Sequence, residues 1–205
     1  MGCKESLERR RSAASDREEK IMFNLFSEQD ENKFTWESIG DVIDGRRNLG
    51  ENMPVFVYRL FQFTIKDELA KRYGNEATVD IFRKAGELAG KEFANHLLDL
   101  SLPFNEFVAH LQSVLEESKI GILRVEKFDP DTGEAVLTVG EDLDCSGLPI
   151  TGETVCNYDE GFLAGVLKVY TQKEYVVTEV DCWATGSRVC RFEASVKSQE
   201  SEQNG

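Results

Sequence analysis

The string EVDCWATGSRVC sets Glu179, Cys182 and Cys190 on either side of Gly186. Two β-type runs, Tyr175 to Cys182 and Val189 to Val196, flank a Gly-containing turn over Ala184 to Arg188. A hairpin brings the end of one strand beside the start of the next, so the two cysteines can approach each other. On a regular strand Glu179 and Cys182 point to opposite faces, and both can serve one site only if the strand twists, bulges or curls. Cys156 opens the predicted helix Val155 to Tyr170, and a helix N-terminus favours the thiolate that a metal requires. Three thiolates and one carboxylate fit a closed tetrahedral Zn²⁺ site, with Zn–S near ~2.3 Å and Zn–O near ~2.0–2.2 Å. With all four positions filled, such a site is structural, because catalytic zinc keeps one open for water. The competing reading of the same residues is a set of buried free cysteines.

Composition narrows the function classes. The 205 residues carry 38 acidic and 24 basic side chains, a net charge of −14. Phosphate affinity rests on clustered Lys and Arg, so this balance argues against direct nucleic-acid binding, and equally against docking on an anionic lipid surface. No stretch approaches the ~18–20 apolar residues of a transmembrane helix. The first twenty residues lack the apolar core of a secretory signal. The five cysteines (Cys3, Cys145, Cys156, Cys182 and Cys190) are an odd number. With no export signal, a reducing, cytoplasmic setting is expected, where metal binding or free thiols outrank disulfides.

The elements that must position these residues divide at mid-chain. Residues 1–20 read as a flexible arm, 21–196 as a single domain, and 197–205 as a disordered tail. Met22 to Phe26 is a candidate strand, and Ser38 to Asn48 is ambiguous. Val55 to Tyr73 reads as a helix that stops before Gly74. Glu76 to Leu100 carries Val79, Phe82, Leu88, Phe93 and Leu97 at helical spacing, which predicts one buried stripe. Gly86 and Gly90 lie one turn apart within it. Each costs ~1 kcal/mol of helix propensity, so close packing against another element is expected. Asn105 to Ser118 is a third helix. Ile120 to Phe128 and Glu134 to Val139 alternate around DPDTG, a hairpin closed by Gly133. An EF-hand reading of Asp129 and Asp131 fails, because position twelve is Gly140 rather than Glu. The fold class is α/β, a mainly antiparallel sheet packed with several helices.

From Glu153 to Phe192 the residues resemble the C-terminal half of a 4-vinyl-reductase (4VR) domain. The shared steps are Cys156, Gly161, Phe162, Gly165, Glu179, Cys182, Gly186, Cys190 and Phe192. The same string is similar to the input domains of phenol- and xylene-responsive bacterial transcription activators. That resemblance implies a structural zinc held by Cys156, Glu179, Cys182 and Cys190 beside an effector pocket. It also implies a fold shared with small-molecule sensors and, distantly, with lipid-holding TRAPP-type tethering subunits, commonly as dimers. The His and Trp that grip a phenol hydroxyl in those sensors have no matching local motif, so phenol specificity is not carried over. Their DNA-binding and ATPase domains are absent from these 205 residues.

Candidate ligand-binding residues are Phe93, Leu97, Phe107, His110, Leu111 and Trp183, because pockets combine apolar walls with a few polar groups. Cys145 reads as a spare thiol, a redox site, an alternative metal ligand or a packed loop residue. Glu141, Asp142 and Asp144 read as a solvated loop. No G-x-G-x-x-G, P-loop, G-x-S-x-G or H-E-x-x-H motif is present, so an enzyme is not the first reading. The expectation is a non-enzymatic, homodimeric sensor or carrier that binds a small apolar, hydrocarbon or aromatic molecule. One alternative is an enzyme or accessory in tetrapyrrole vinyl reduction. The other is a lipid-binding or membrane-tethering adaptor, prompted by the M-G-x-x-x-S start and Cys3. The plain reading of that start is a chance match.

Overall fold

The computed structural model describes residues 34–197, and the chain divides into two units, Met1–Gly45 and Arg46–Gly205. The expected N-terminal arm, the strand over Met22 to Phe26, the lipidation-type start and the tail beyond Lys197 lie outside the described residues. The described part of the first unit holds a 3₁₀ turn, Trp36–Ile39, and a four-residue helix α1, Val42–Gly45.

In the second unit, helix α2 spans Val55–Tyr73 and ends at Gly74, as expected; Gly74 has φ +83° and donates its N–H to Ala70. Gly74 also begins α3, Asn75–Leu97, and α4 follows as Phe104–Glu117 after Pro103. Strands β1, Ile122–Phe128, and β2, Ala135–Gly140, form the expected hairpin. Its turn is held by Asp129 Oδ1, which accepts the N–H groups of Asp131 and Thr132. Helix α5, Asn157–Thr171, crosses over to β3, Tyr175–Asp181, and β4, Val189–Val196, returns between β3 and β2. The sheet order is β1-β2-β4-β3, antiparallel throughout.

Helix α4 packs on β1 and α5 packs on β3, while α3 lies along α5. The core includes Phe107, Leu111, Leu137, Val166 and Phe192. A Cβ built on Gly86 would sit 2.0 Å from the Tyr158 carbonyl oxygen, and one on Gly90 would sit 2.1 Å from that of Phe162. On the other side, a Cβ on Gly161 would meet the Arg83 carbonyl oxygen at 1.9 Å, and one on Gly165 that of Glu87 at 2.3 Å. Four glycines thus let two helix backbones touch, which compensates for their low helix propensity.

This seam corrects the expected stripe on α3. Phe93 is buried, but Leu88 and Leu97 are each 39% exposed. The face that meets α5 is the row of small residues, Thr78, Gly86, Gly90 and Ala94, because only they allow so close an approach.

Candidate metal centre

Three segments bring four sulfurs together. Cys145 follows β2 in a tight loop organised by Asp142, whose Oδ1 accepts the N–H groups of Asp144 at 2.8 Å and Cys145 at 3.0 Å. Cys156 is the N-cap of α5. Cys182 precedes a 3₁₀ turn, Trp183–Thr185, where Thr185 Oγ1 accepts the Cys182 N–H and Gly186 takes φ +103°. Cys190 lies on β4 opposite Val139. All four are free and buried, with at most 1% of their surface exposed, and their sulfurs lie within 4.8 Å of one another. Cys156 Sγ is 3.8 Å from Cys182 Sγ and 3.7 Å from Cys190 Sγ, and the Cys145 and Cys190 sulfurs are 3.0 Å apart.

Of the residues picked from sequence as metal ligands, Cys156, Cys182 and Cys190 belong to this group, and its fourth member is Cys145. Glu179 stands beside it. Its Oε2 accepts the Cys156 N–H at 3.0 Å, and its Oε1 is buried with no partner. The face problem on β3 is solved as anticipated. The β3–β4 register shifts between Glu179 and Asp181, so Glu179 and Cys182 are both buried although three residues apart.

A ring of polar groups surrounds the sulfurs. Glu160 is buried on α5; its Oε1 accepts the Glu179 N–H at 2.9 Å, and its Oε2 accepts Arg83 Nε at 2.6 Å. Lys66 Nζ donates to the Val155 carbonyl and to Asn157 Oδ1, both at 3.1 Å. Asp144 accepts Tyr58 Oη–H at 2.8 Å and Gln62 Nε2–H at 2.6 Å. The expected solvated loop is therefore corrected. Asp142 and Asp144 are only 4% and 3% exposed, because they serve as loop cap and helix anchor, and Glu141 alone faces solvent.

The electrostatics follow from crowding. Burial and the neighbouring Asp144 push Asp142 up to about 6. Burial and the charge of Cys182 push Glu179 up to about 8, against the lowering effect of the Cys156 N–H. The Cys182 thiol is drawn well below its usual range by hydrogen bonds from Cys145, Cys156 and Cys190. The same sharing pushes Cys156 and Cys190 up, aided by burial. Negative charge is thus concentrated on one sulfur inside a dry, acidic nest, an environment that favours a cation.

The donor set passes a test of fit for zinc. A tetrahedron with Zn–S of ~2.3 Å has an S···S edge of about 3.8 Å, which two of the Cys156 separations already match.

The sequence-derived pocket residues separate. Phe107 and Leu111 line a cavity between α4, α5 and the sheet, with Phe104, Leu123, Phe128 and Leu163. It holds about 30 Å³, close to one water molecule's share of the liquid. Phe104 stacks on Phe128 at 3.9 Å and Phe107 on Tyr170 at 3.8 Å, so aromatic rings fill most of the space. Phe93 packs edge-on against Phe162 at 5.1 Å. Leu97 is on the outer side of α3. His110 is half-buried and accepts the Asp99 N–H through Nδ1 at 3.2 Å. Trp183 packs against the core with Arg188 over its ring at 4.6 Å. Leu97, His110 and Trp183 are not among the residues lining the cavity. Reading from sequence missed Asp142, Glu160 and Lys66. The D-x-x-C spacing of Asp142 and Cys145, which suits an Asx-type cap, was the available signal for the first.

Residues 135–196 match the model of the V-4-R (4-vinyl-reductase) domain, a span that contains all four sulfurs, Glu179 and α5. Uncharacterized protein MJ1642 of Methanocaldococcus jannaschii is 28% identical over 158 residues, covering 76% of this chain and 86% of that protein. Three solved structures are similar. One is the phenol-responsive sensory domain of the transcription activator PoxR with phenol (TM-score 0.56, 12% identity, 72% of this chain and 76% of that one). The second is a vinyl-4-reductase family protein from Methanocaldococcus jannaschii (TM-score 0.54, 18% identity, 80% and 98%). The third is trafficking protein particle complex subunit 3 from Naegleria fowleri, covalently bound to palmitic acid (TM-score 0.56, 12% identity, 70% and 95%). The resemblance read from the sequence is borne out: the domain match is to the same 4-vinyl-reductase type, and the fold is shared with these three structures. No helix among the described residues is long and apolar enough to cross a membrane.

Proposed function

We propose that this chain is a non-enzymatic sensor or carrier that binds a small apolar or aromatic molecule beside a structural zinc. The observation that carries the metal half is the convergence of four buried, free sulfurs within 4.8 Å. Cys145, Cys156, Cys182 and Cys190 would hold the ion, which would tie the loop after β2, the start of α5 and the last hairpin together. All four donors come from protein, so no position is left for a reacting water and the role is structural. Four free thiols also suit a reducing compartment such as the cytoplasm. A second ligand set, with Glu179 in place of Cys145, is favoured by its partnerless buried Oε1.

The ligand half is supported by the apolar cavity against α5, the element that Cys156 caps, and by the company of the fold. Its relatives include a domain solved with phenol and a subunit carrying palmitate. Ligand pockets run to ~300–1,000 Å³, so occupancy requires the Phe104–Phe128 and Phe107–Tyr170 stacks to part. Motion at α5 then reaches the sulfur cluster through Cys156.

Native mass spectrometry of protein purified from its own cells tests both halves together. The expected result is one zinc per chain, lost in Cys156→Ser, and an adduct of a small apolar molecule. Protein that is zinc-free, with all four thiols alkylated without unfolding, would sink the metal assignment. The absence of any retained or added apolar ligand would sink the sensor reading.

A further inference from the structure

Helix α2 is amphipathic in the reverse sense. The side chains it turns toward the body are polar: Tyr58 and Gln62 bind Asp144, Arg59 donates to the carbonyls of Leu143 and Ser146, and Lys66 holds Val155 and Asn157. Its one fully buried residue is Gln62. The opposite face carries Val55, Phe56, Val57, Leu60, Phe61 and Ile65, with Phe56 64%, Leu60 60% and Phe61 68% exposed. A surface helix normally does the opposite and turns its apolar stripe inward.

Size and charge identify the occupant. At ~150–250 Å² per aromatic side chain, the exposed fractions of these six residues amount to roughly 500–600 Å². One side of a standard interface buries ~800 Å², a little over half of it apolar, or about 450–500 Å². The stripe alone supplies that amount. It is centred near Leu60 and Phe61, so two copies of α2 packed antiparallel would match it to itself, as a two-fold interface demands. In that arrangement Asp67 and Glu68 of one copy face the first turn of the other. That turn follows Pro54, has no side-chain cap and contains no acidic residue. Carboxylates are favourable beside such free N–H groups.

We propose that the outer face of α2 packs on the same face of a second copy of this chain, and that the sulfur cluster sets the strength of this contact. The polar inner face grips both segments that deliver sulfurs: the Cys145 loop through Leu143, Asp144 and Ser146, and the Cys156 cap through Val155 and Asn157. Whatever orders these segments orders α2, and with it the apolar stripe. The coupling rests on the zinc reading above; the interface itself does not.

Sedimentation equilibrium of the full chain, with zinc measured on every sample, tests the proposal. Wild type is expected at twice the chain mass at roughly 100 μM. Leu60→Asp/Phe61→Asp is expected at the chain mass, with an unchanged far-ultraviolet spectrum. Removing zinc with a chelator is expected to weaken dimerisation at least tenfold, and Gln62→Leu/Lys66→Met to reduce that dependence to within about twofold. A monomeric wild type, or a double-aspartate variant that still dimerises, overturns the interface. A dimer constant unmoved when zinc is stripped overturns the coupling while leaving the zinc site standing. Protein that never takes up zinc overturns the zinc reading and the coupling together, and the mass measurement then judges the interface by itself.

Discussion

The backbone N–H of Cys156 donates to Oε2 of Glu179 at 3.0 Å, so a carboxylate on β3 fixes the residue that begins α5. Because Oε1 of the same carboxylate lacks a partner, Glu179 is either an outer support for the Cys156 cap or a donor to the metal.

Cobalt substitution separates these roles. With Cys145 as the fourth ligand, Glu179→Gln keeps the metal and leaves the cobalt–thiolate charge-transfer band unchanged, whereas Cys145→Ser lowers that band by about a quarter, one thiolate in four. The opposite pattern would assign the fourth position to Glu179.

The glycine seam predicts a sharp contrast between two alanine substitutions. Gly161→Ala drives a methyl group into the Arg83 carbonyl oxygen and is expected to cost roughly 2–4 kcal/mol in urea unfolding. A Cβ on Gly140 would meet Val189 Cγ1 at 3.8 Å, an ordinary contact, so Gly140→Ala is expected to change stability by less than about 1 kcal/mol. Equal costs at the two sites would mean that α3 and α5 do not pack backbone to backbone.

Phe107 is 2% exposed and fills the wall of the apolar cavity. Phe107→Ala is expected to lose about 3–5 kcal/mol and to leave space for a small aromatic guest. Melting with and without indole checks this: the variant should regain part of its loss, while wild type should shift less. A variant indifferent to indole would show that the cavity collapses instead.

Glu87 on α3 pairs with Lys91 and lies 3.6 Å from Lys168 on α5. Burial raises its pKa, but the hydrogen bond and charge of Lys91 and the charge of Lys168 outweigh this, and its carboxyl stays below the usual value. A carboxyl depressed in the folded state adds stability above its unfolded pKa and loses it as pH falls through the folded value. Glu87→Gln is therefore expected to lower stability at pH 7 by about 0.2–1 kcal/mol, the scale of a partly exposed pair. The gap should close as acid titrates the wild type. A gap that persists in acid would show that the loss is one of packing.

Much of this architecture was legible in the sequence because local rules governed it. The α2 stop at Gly74, the hairpin around Gly133 and the close packing expected at Gly86 and Gly90 each followed from residue type and spacing. The bulge near Glu179 followed from the demand that a carboxylate and a thiol three apart face the same way. What misled was burial without hydrophobicity. Leu88 and Leu97 carry the periodic signal on α3, yet backbone contact gives the interior to glycine and alanine. Asp142 and Asp144 read as surface residues because the partners that make them tolerable inside lie far off in sequence, with Tyr58 and Gln62 82 or more positions from Asp144. The place of Cys145 among the sulfurs likewise depends on a fold-level convergence that local spacing does not encode.

The irregular step on β3 turns the distance between Glu179 and Cys182 into a constraint on length. Adding or removing one residue there would exchange the dry side of the strand for the wet one, carrying an acid or a sulfur outward without altering any side chain's identity. Natural variants of this segment are therefore expected to differ by replacement and to keep its count intact.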